Sequence, residues 1–330
     1  MSAPSLPASQ SNPAAGIALI LVGMVTISIN DMLIKQLSGD YPLHQMVFAR
    51  SAIGIWFSLV MVWFEGGLAI LRTRHWGFHT LRGLAIVVAN ISFFTALAVI
   101  PLGEATALFF VAPLMITLLS IPLLGERVGP YRLGAVLVGF LGVLVMVRPW
   151  QGDEREAGLF VLLLPVISAT TYALFQIMTR RLGAVAKASA MAVYVQTIFI
   201  VVSAGFFLVA GDGRFAEGAT NPSVVFLLRE WSWPQGLDIW LFVALGLNSA
   251  ITAYALSQAY RLADAATISP FEYVGLPLAL LWGWTFWGEI PDAASSVGIL
   301  LIVGSGLFVF LRERRRQVAI ASAARVRRRY

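Results

Sequence analysis

Asp31, Arg50 and Glu272 are charged side chains set inside long apolar stretches of this chain. A charge in hydrocarbon costs roughly 2.5–3.5 kcal/mol on insertion scales, so such groups face a cavity or a partner. Asp31 falls in the outer third of the first apolar run, and Arg50 lies about two turns into the second from the same side. Their depths match, and Asn30 and Lys35 are nearby. Two roles fit the pair. In a binding role Arg50 attracts a carboxylate or phosphate, and Asp31 holds an amine or a proton. In a structural role the two form an ion pair that locks two helices. Lys35, near the interface, reads as a snorkelling side chain. Glu272 lies between Pro270 and Pro277 and is followed by Tyr273. Prolines free backbone carbonyls and kink a helix, and irregular backbone at membrane depth is tolerated where it lines a cavity. An acid there reads as a proton site or a ligand for a substrate amine; the alternative is a bond to neighbouring backbone.

Uncharged polar residues in the same runs include Asn90, Tyr172, Gln176, Gln196, Asn248, Tyr254 and Gln258. Each serves either as interhelical glue or as a substrate ligand. Asn90 and Asn248 occupy related depths in the third and eighth runs, as a central site between two halves requires. Trp282, Trp284 and Trp287 read first as an interfacial aromatic belt, then as a stacking surface. Gly134, Gly139, Gly142, Gly298, Gly304 and Gly306 read as close helix packing, and Glu126 and Glu289 as structural helix-end residues. The substrate-binding candidates are therefore Asn30, Asp31, Arg50, Asn90, Tyr172, Gln176, Asn248, Tyr254, Glu272 and Tyr273.

Enzymatic chemistry finds little purchase. The chain has no cysteine and three histidines, His44, His75 and His79, without a His-Glu-x-x-His pair. It has no Gly-x-Ser-x-Gly, no Gly-x-Gly-Asp and no P-loop lysine motif. The expectation is of a chain that is not an enzyme, with no metal and no cofactor.

The elements that carry these residues follow from composition. Of 330 residues, 58% are hydrophobic and 12% charged, against about 45–50% and about 25% in soluble domains. Mean hydropathy is +0.81. A soluble globule of this size has no interior large enough for that much apolar side chain, so the lipid bilayer is the solvent. Ten apolar runs fall near 16–36, 44–64, 81–100, 104–124, 131–148, 157–178, 187–210, 238–259, 265–287 and 294–311. Each approaches the roughly 20 residues that cross about 30 Å of hydrocarbon as a helix. They are too long and too uniformly apolar for the alternation of a membrane barrel.

The formal charge of +6 belongs to topology rather than to a nucleic-acid partner. With the N-terminus in the cytoplasm, Arg72, Arg74, Arg82, Arg127, Arg132, Arg180, Arg181, Lys187, Arg261 and the tail arginines from Arg312 to Arg329 lie inside. Only Lys35, Arg148, Arg155, Arg214 and Arg229 lie outside. Both termini are expected in the cytoplasm.

The halves repeat. Phe94-Thr-Ala-Leu-Ala-Val-Ile-Pro-Leu-Gly-Glu104-Ala-Thr-Ala corresponds to Tyr254-Ala-Leu-Ser-Gln-Ala-Tyr-Arg-Leu-Ala-Asp264-Ala-Ala-Thr. Each leads into a Pro-containing apolar run that ends in Gly-Glu, at Gly125-Glu126 and at Gly288-Glu289. A five-span unit is odd in number, so its second copy enters the membrane from the opposite face, a pattern of secondary transporters.

On these residues, together with Ser269-Pro-Phe-Glu-Tyr-Val-Gly-Leu-Pro-Leu-Ala-Leu-Leu-Trp-Gly-Trp-Thr-Phe-Trp-Gly-Glu-Ile-Pro291 and Arg50 in span two, the chain resembles the drug/metabolite transporter superfamily in its EamA-type branch. The resemblance covers roughly residues 16–311. It implies an all-α integral membrane protein of ten transmembrane helices in two inverted five-helix repeats. The organisation expected is a disordered lead-in at 1–15, repeats at 16–148 and 157–311, an outer linker at 149–156 and a basic tail at 312–330. The function implied is alternating-access transport of a small polar metabolite across the cell inner membrane. An amino acid or similar zwitterion suits one cation and two acids, with export the direction the resemblance implies and protons the coupling ion. Uptake of a vitamin or nucleoside-type metabolite such as riboflavin or S-adenosylmethionine is the alternative. A channel or a non-transporting scaffold is the alternative of another class. Residue types do not fix oligomeric state.

Overall fold

The structure, a computed structural model, describes residues 13–125, 128–150, 158–182, 186–262 and 269–327. The expectations for the lead-in, for Glu126 and Arg127, for most of the linker, for Asp264 and for the side chain of Gln258 fall outside the residues so described.

Apolar chain in a bilayer satisfies its backbone internally, and the described residues form helices. These are α1 (Pro13–Leu37), α2 (Leu43–Glu65), α3 (Trp76–Leu97), α4 (Leu102–Phe109), α5 (Ala112–Leu124), α6 (Pro130–Val147), α7 (Leu159–Leu182), α8 (Ala188–Ala210), α9 (Pro222–Leu228), α10 (Asp238–Leu262), α11 (Gly275–Trp287) and α12 (Ala293–Arg327). Short 3-10 turns occupy Leu68–Leu71 and Ser269–Val274. Eight segments among the described residues are long and apolar enough to cross a membrane, α4 and α5 counting as one, and Leu133–Val147 of α6 is a shorter apolar stretch. The chain is an all-α, multi-pass integral membrane protein. Large apolar side chains such as Trp63, Phe64 and Leu208 point outward, as lipid contact requires.

Two segments are interrupted. Between α4 and α5 the helix breaks at Phe110 and Val111, just before Pro113, which has no N–H to continue the ladder. Before α11 the chain runs as the 3-10 turn Ser269–Val274, just ahead of Pro277.

Packing pairs the elements across the chain. α1 lies along α10 and α3 along α7; α2 packs on α8 and α6 on α12. Small residues set the closest approach: a Cβ added to Gly142 would meet the Gly298 carbonyl oxygen at 2.8 Å, and one on Gly298 the Gly142 oxygen at 2.7 Å. Gly139 presses on Leu114, and Gly306 on the Tyr273 hydroxyl. Gly134 and Gly304, also expected at contacts, have nothing within 4 Å of that position and face open space.

Three boundaries differ from the sequence expectation. α3 begins at Trp76 rather than near 81, because His79 and Arg82 are buried instead of looped out. Arg82 donates to the Thr179 hydroxyl at 3.1 Å and the Met191 carbonyl at 2.7 Å, tying α3 to α7 and α8. α12 runs well past 311, to Arg327. The segment 211–237 contains α9, whose Asn221 cap and Pro222 start are ordinary helix-opening chemistry. α9 folds back on α2 and α3: the Ser223 hydroxyl donates to the Thr95 carbonyl at 2.9 Å, and His44 Nδ1 meets the Leu227 carbonyl at 3.0 Å.

Candidate functional site

Residues three apart on a helix share a face. Ile27 and Asn30 on α1, and Ser249 and Thr252 on α10, use that spacing, and with Arg50 of α2 they line a cavity of about 150 Å³. Arg50 is 8% exposed, with its guanidinium 5.6 Å from the Phe199 ring centre. Among the described residues it makes no hydrogen bond, and no carboxylate lies within ion-pair distance. Asp31 is near enough for its charge to be felt at Arg50, but its carboxylate accepts from Asn30 Nδ2 at 3.3 Å instead. The helix-locking ion pair weighed for Asp31 and Arg50 is therefore not formed. Asn30 Oδ1 is buried without a partner. The cavity is thus lined by a cation unpaired among the described residues, by Asn30 and by the hydroxyl-bearing Ser249 and Thr252. Transfer of an anionic group from water to this site offsets the cost of the buried charge.

The cavity wall is fixed by side chains rather than by backbone alone. Asn248 Nδ2 donates to the Thr26 carbonyl, and the Thr252 hydroxyl bonds both the Thr26 hydroxyl at 2.8 Å and the Asn248 carbonyl at 2.9 Å. These bonds pin α10 to α1 and spend Asn248 on packing. Gln196 packs against Gly54 of α2.

A second neighbourhood gathers Tyr172, Gln176, Glu272 and Tyr273. Gln176 Nε2 donates to the Tyr172 hydroxyl at 2.5 Å, and the charge of Glu272 reaches both phenols. Tyr273 stacks on Phe110 with ring centres 5.2 Å apart and planes at 20°. Phe110 and Tyr273 mark the two helix interruptions, so the breaks meet inside the bundle. Phe110 is absent from the sequence candidates. It lies 15 residues before Gly125, as Tyr273 lies 15 before Gly288, so the repeat carried the signal. Broken helices at corresponding points of two halves line the sites of secondary transporters.

Asn90 lies elsewhere. With His44, Ser203, Phe199 and Phe206 it borders a small void of about 20 Å³ between α2, α3 and α8, beneath α9. Asn90 and Asn248 thus do not share one cavity. Tyr254 is 42% exposed and meets Phe57 edge-on, and it is not among the residues lining either cavity.

At one end of the bundle the charges are paired. Lys35 does not snorkel: its side chain is 9% exposed and forms an ion pair with Glu289, donates to the Ile100 carbonyl at 3.3 Å, and sits 5.0 Å from the Trp287 ring centre. Glu289 Oε2 accepts the Leu102 N–H at 2.9 Å. Beside it Arg148 pairs with Asp292, which also accepts the Ser295 N–H at 2.7 Å and opens α12. Arg148 holds the Asp292 carboxyl down to about 2. The three tryptophans also divide. Trp284 faces outward, 61% exposed, whereas Trp282 Nε1 donates to the Ser28 hydroxyl at 3.1 Å and Trp287 carries Lys35.

Known proteins resemble this arrangement over most of its length. A family model described as the EamA-like transporter family matches residues 14–148. A riboflavin transporter of Rhizobium johnstonii is 30% identical over 92% of this chain and 90% of its own length. An S-adenosylmethionine uptake transporter of Rickettsia prowazekii is 24% identical, over 91% of this chain and 94% of its own. A pseudopaline exporter of Pseudomonas aeruginosa is 29% identical, over 88% and 93%. A solved crystal structure shares the fold with a TM-score of 0.59 at 21% identity, covering 93% of this chain and 99% of that one.

Proposed function

The chain belongs to the EamA-like transporter family, and on that premise we propose that it is a secondary carrier of a small polar metabolite, working by alternating access in a bacterial inner membrane. It is not an enzyme on this reading. The observation that carries it is the cavity at Arg50: a buried guanidinium without an ion-pair partner among the described residues is built to receive a group that brings its own negative charge. Asp31 lies within electrostatic reach to meet an amine on the same molecule, which makes an amino acid or a related zwitterion the substrate class. Glu272, beside Tyr172 and Tyr273 at the helix break, takes the proton role.

Ten spans in two inverted five-helix units, 16–148 and 157–311, with both termini cytoplasmic, complete the reading. The cross-pairing of α1 with α10 and of α3 with α7 supports it, since an inverted repeat exchanges those pairs.

A second reading has its own support. Relatives named riboflavin transporters reach 30% identity over nine-tenths of the chain, which favours a vitamin as cargo. The relatives' names include both an uptake carrier and an exporter, so direction is not carried over from them. Counterflow in proteoliposomes separates the readings: preloaded amino acids or riboflavin should drive accumulation of the matching labelled compound. Arg50→Ala should lower it at least about tenfold, which is about 1.4 kcal/mol of lost binding. Equal counterflow in wild type and Arg50→Ala would sink the site.

A further inference from the structure

The ion pair of Lys35 and Glu289 joins parts of the chain that a carrier must move against one another. Lys35 ends α1, and the Ile100 carbonyl and Leu102 N–H form the tip between α3 and α4; all three belong to the first half. Glu289 follows α11 in the second half. One carboxylate therefore bonds an ammonium and a backbone amide of the other half at once, so withdrawing it frees both elements together. The Glu289 side chain is 19% exposed, so water is at hand to rehydrate the carboxylate when the contact opens. The neighbouring set built from Arg148, Asp292 and Ser295 bonds α6 to the start of α12 at the same end of the bundle.

The sequence offers matching chemistry at the other end. Gly125-Glu126 stands where Gly288-Glu289 stands in the repeat, and Arg180 lies two residues from the end of α7 as Lys35 lies two from the end of α1. A carrier that alternates needs one lock at each face, closed in turn. We propose that Lys35 and Glu289 are the lock of the outer gate, with Leu102 and Ile100 as its backbone strikes. The proposal rests on the carrier reading and its orientation, and adds the residues that time the opening.

The test uses the absence of cysteine from the sequence, which makes one introduced thiol the sole target of a thiol reagent. Ser249→Cys places that thiol on the wall of the Arg50 cavity. In right-side-out vesicles, a membrane-impermeant methanethiosulfonate should label it slowly, because the lock is shut. Adding Glu289→Gln should raise the labelling rate at least about tenfold, and Lys35→Gln should do the same if Glu289→Gln does not accumulate. The exchange Lys35→Glu with Glu289→Lys should bring the rate back only in part, because it restores the ion pair but leaves the Leu102 N–H and the Ile100 carbonyl without their partners; loss of a merely structural contact predicts no recovery. Unchanged labelling in both neutral variants, with or without a lower melting temperature, overturns the proposal. So does a rise seen only when the reagent is on the cytoplasmic face. The readout needs no substrate: a gate that behaves as stated in a protein without counterflow would refute the carrier reading and leave the lock.

Discussion

Arg50 is the residue on which binding turns, and its neighbours divide into those that meet a ligand and those that hold the wall. Asn248 is of the second kind. Asn248→Leu removes a donor to the Thr26 carbonyl across α1 and α10, and should lower stability by roughly 0.6–1.7 kcal/mol, read as a lower melting temperature in detergent. Glu272→Gln should flatten the pH dependence of counterflow while leaving substrate-dependent stabilisation in place; an unchanged profile would remove its proton role. Outside the spans, Asp292 gives a stability effect of defined sign. Arg148 holds its carboxyl near 2, below the ordinary 3.8, so its contribution is fully present above about pH 4 and is lost as pH falls toward 2. The side chain is 54% exposed, and solvent screening keeps the effect small. Asp292→Asn should therefore cost a small, constant amount of stability above about pH 4 and none near pH 2; a loss larger at pH 2 than at pH 6 would contradict the contact.

At the scale of elements, α6 and α12 meet backbone to backbone. Gly298→Leu drives a side chain into the Gly142 carbonyl and Met146, and should cost about 3 kcal/mol or more, seen as loss of folded yield. Gly304→Leu, with nothing within 4 Å, is the control that should express normally. The spans themselves are legible as apolar runs, and Pro270 and Pro277 mark the interruption before α11, whereas the run at 104–124 reads as unbroken although it contains the break at Phe110 and Val111. Rotation about each helix axis was not legible, because lipid and protein neighbours both select apolar side chains. That is why Tyr254, read from sequence as a site residue, is as exposed as many lipid-facing side chains, and why Gly134 and Gly304 read as contacts yet face open space. The start of α3 is hidden for a related reason: Arg82 reads as a cytoplasmic loop residue until α7 and α8 are there to bury it. α9 carries a sequence signal in Asn221-Pro222, a cap and a first-turn proline within the connection 211–237.

At the scale of the molecule, membership of a transporter family and a cavity crossing helices from both halves point the same way. Of the site, the depth match of Asn30, Asp31 and Arg50 was legible, since span position alone sets it. The partnership of Lys35 with Glu289 was not. The two residues lie 254 positions apart, and no local pattern marks which charges at the helix ends will face each other. Phe110 and Tyr273 stand between these cases: the repeat offset encodes their meeting, but only once the two Gly-Glu ends are aligned.

The most direct test is the melting temperature of the purified protein, wild type and Arg50→Ala, against amino acids, riboflavin and S-adenosylmethionine. A ligand present at 100 times its dissociation constant adds about 2.7 kcal/mol to the folded state. The carrier account predicts a compound that stabilises the wild type by that order and leaves Arg50→Ala unmoved. A compound that stabilises both proteins equally would contradict the Arg50 cavity as the place where cargo is held.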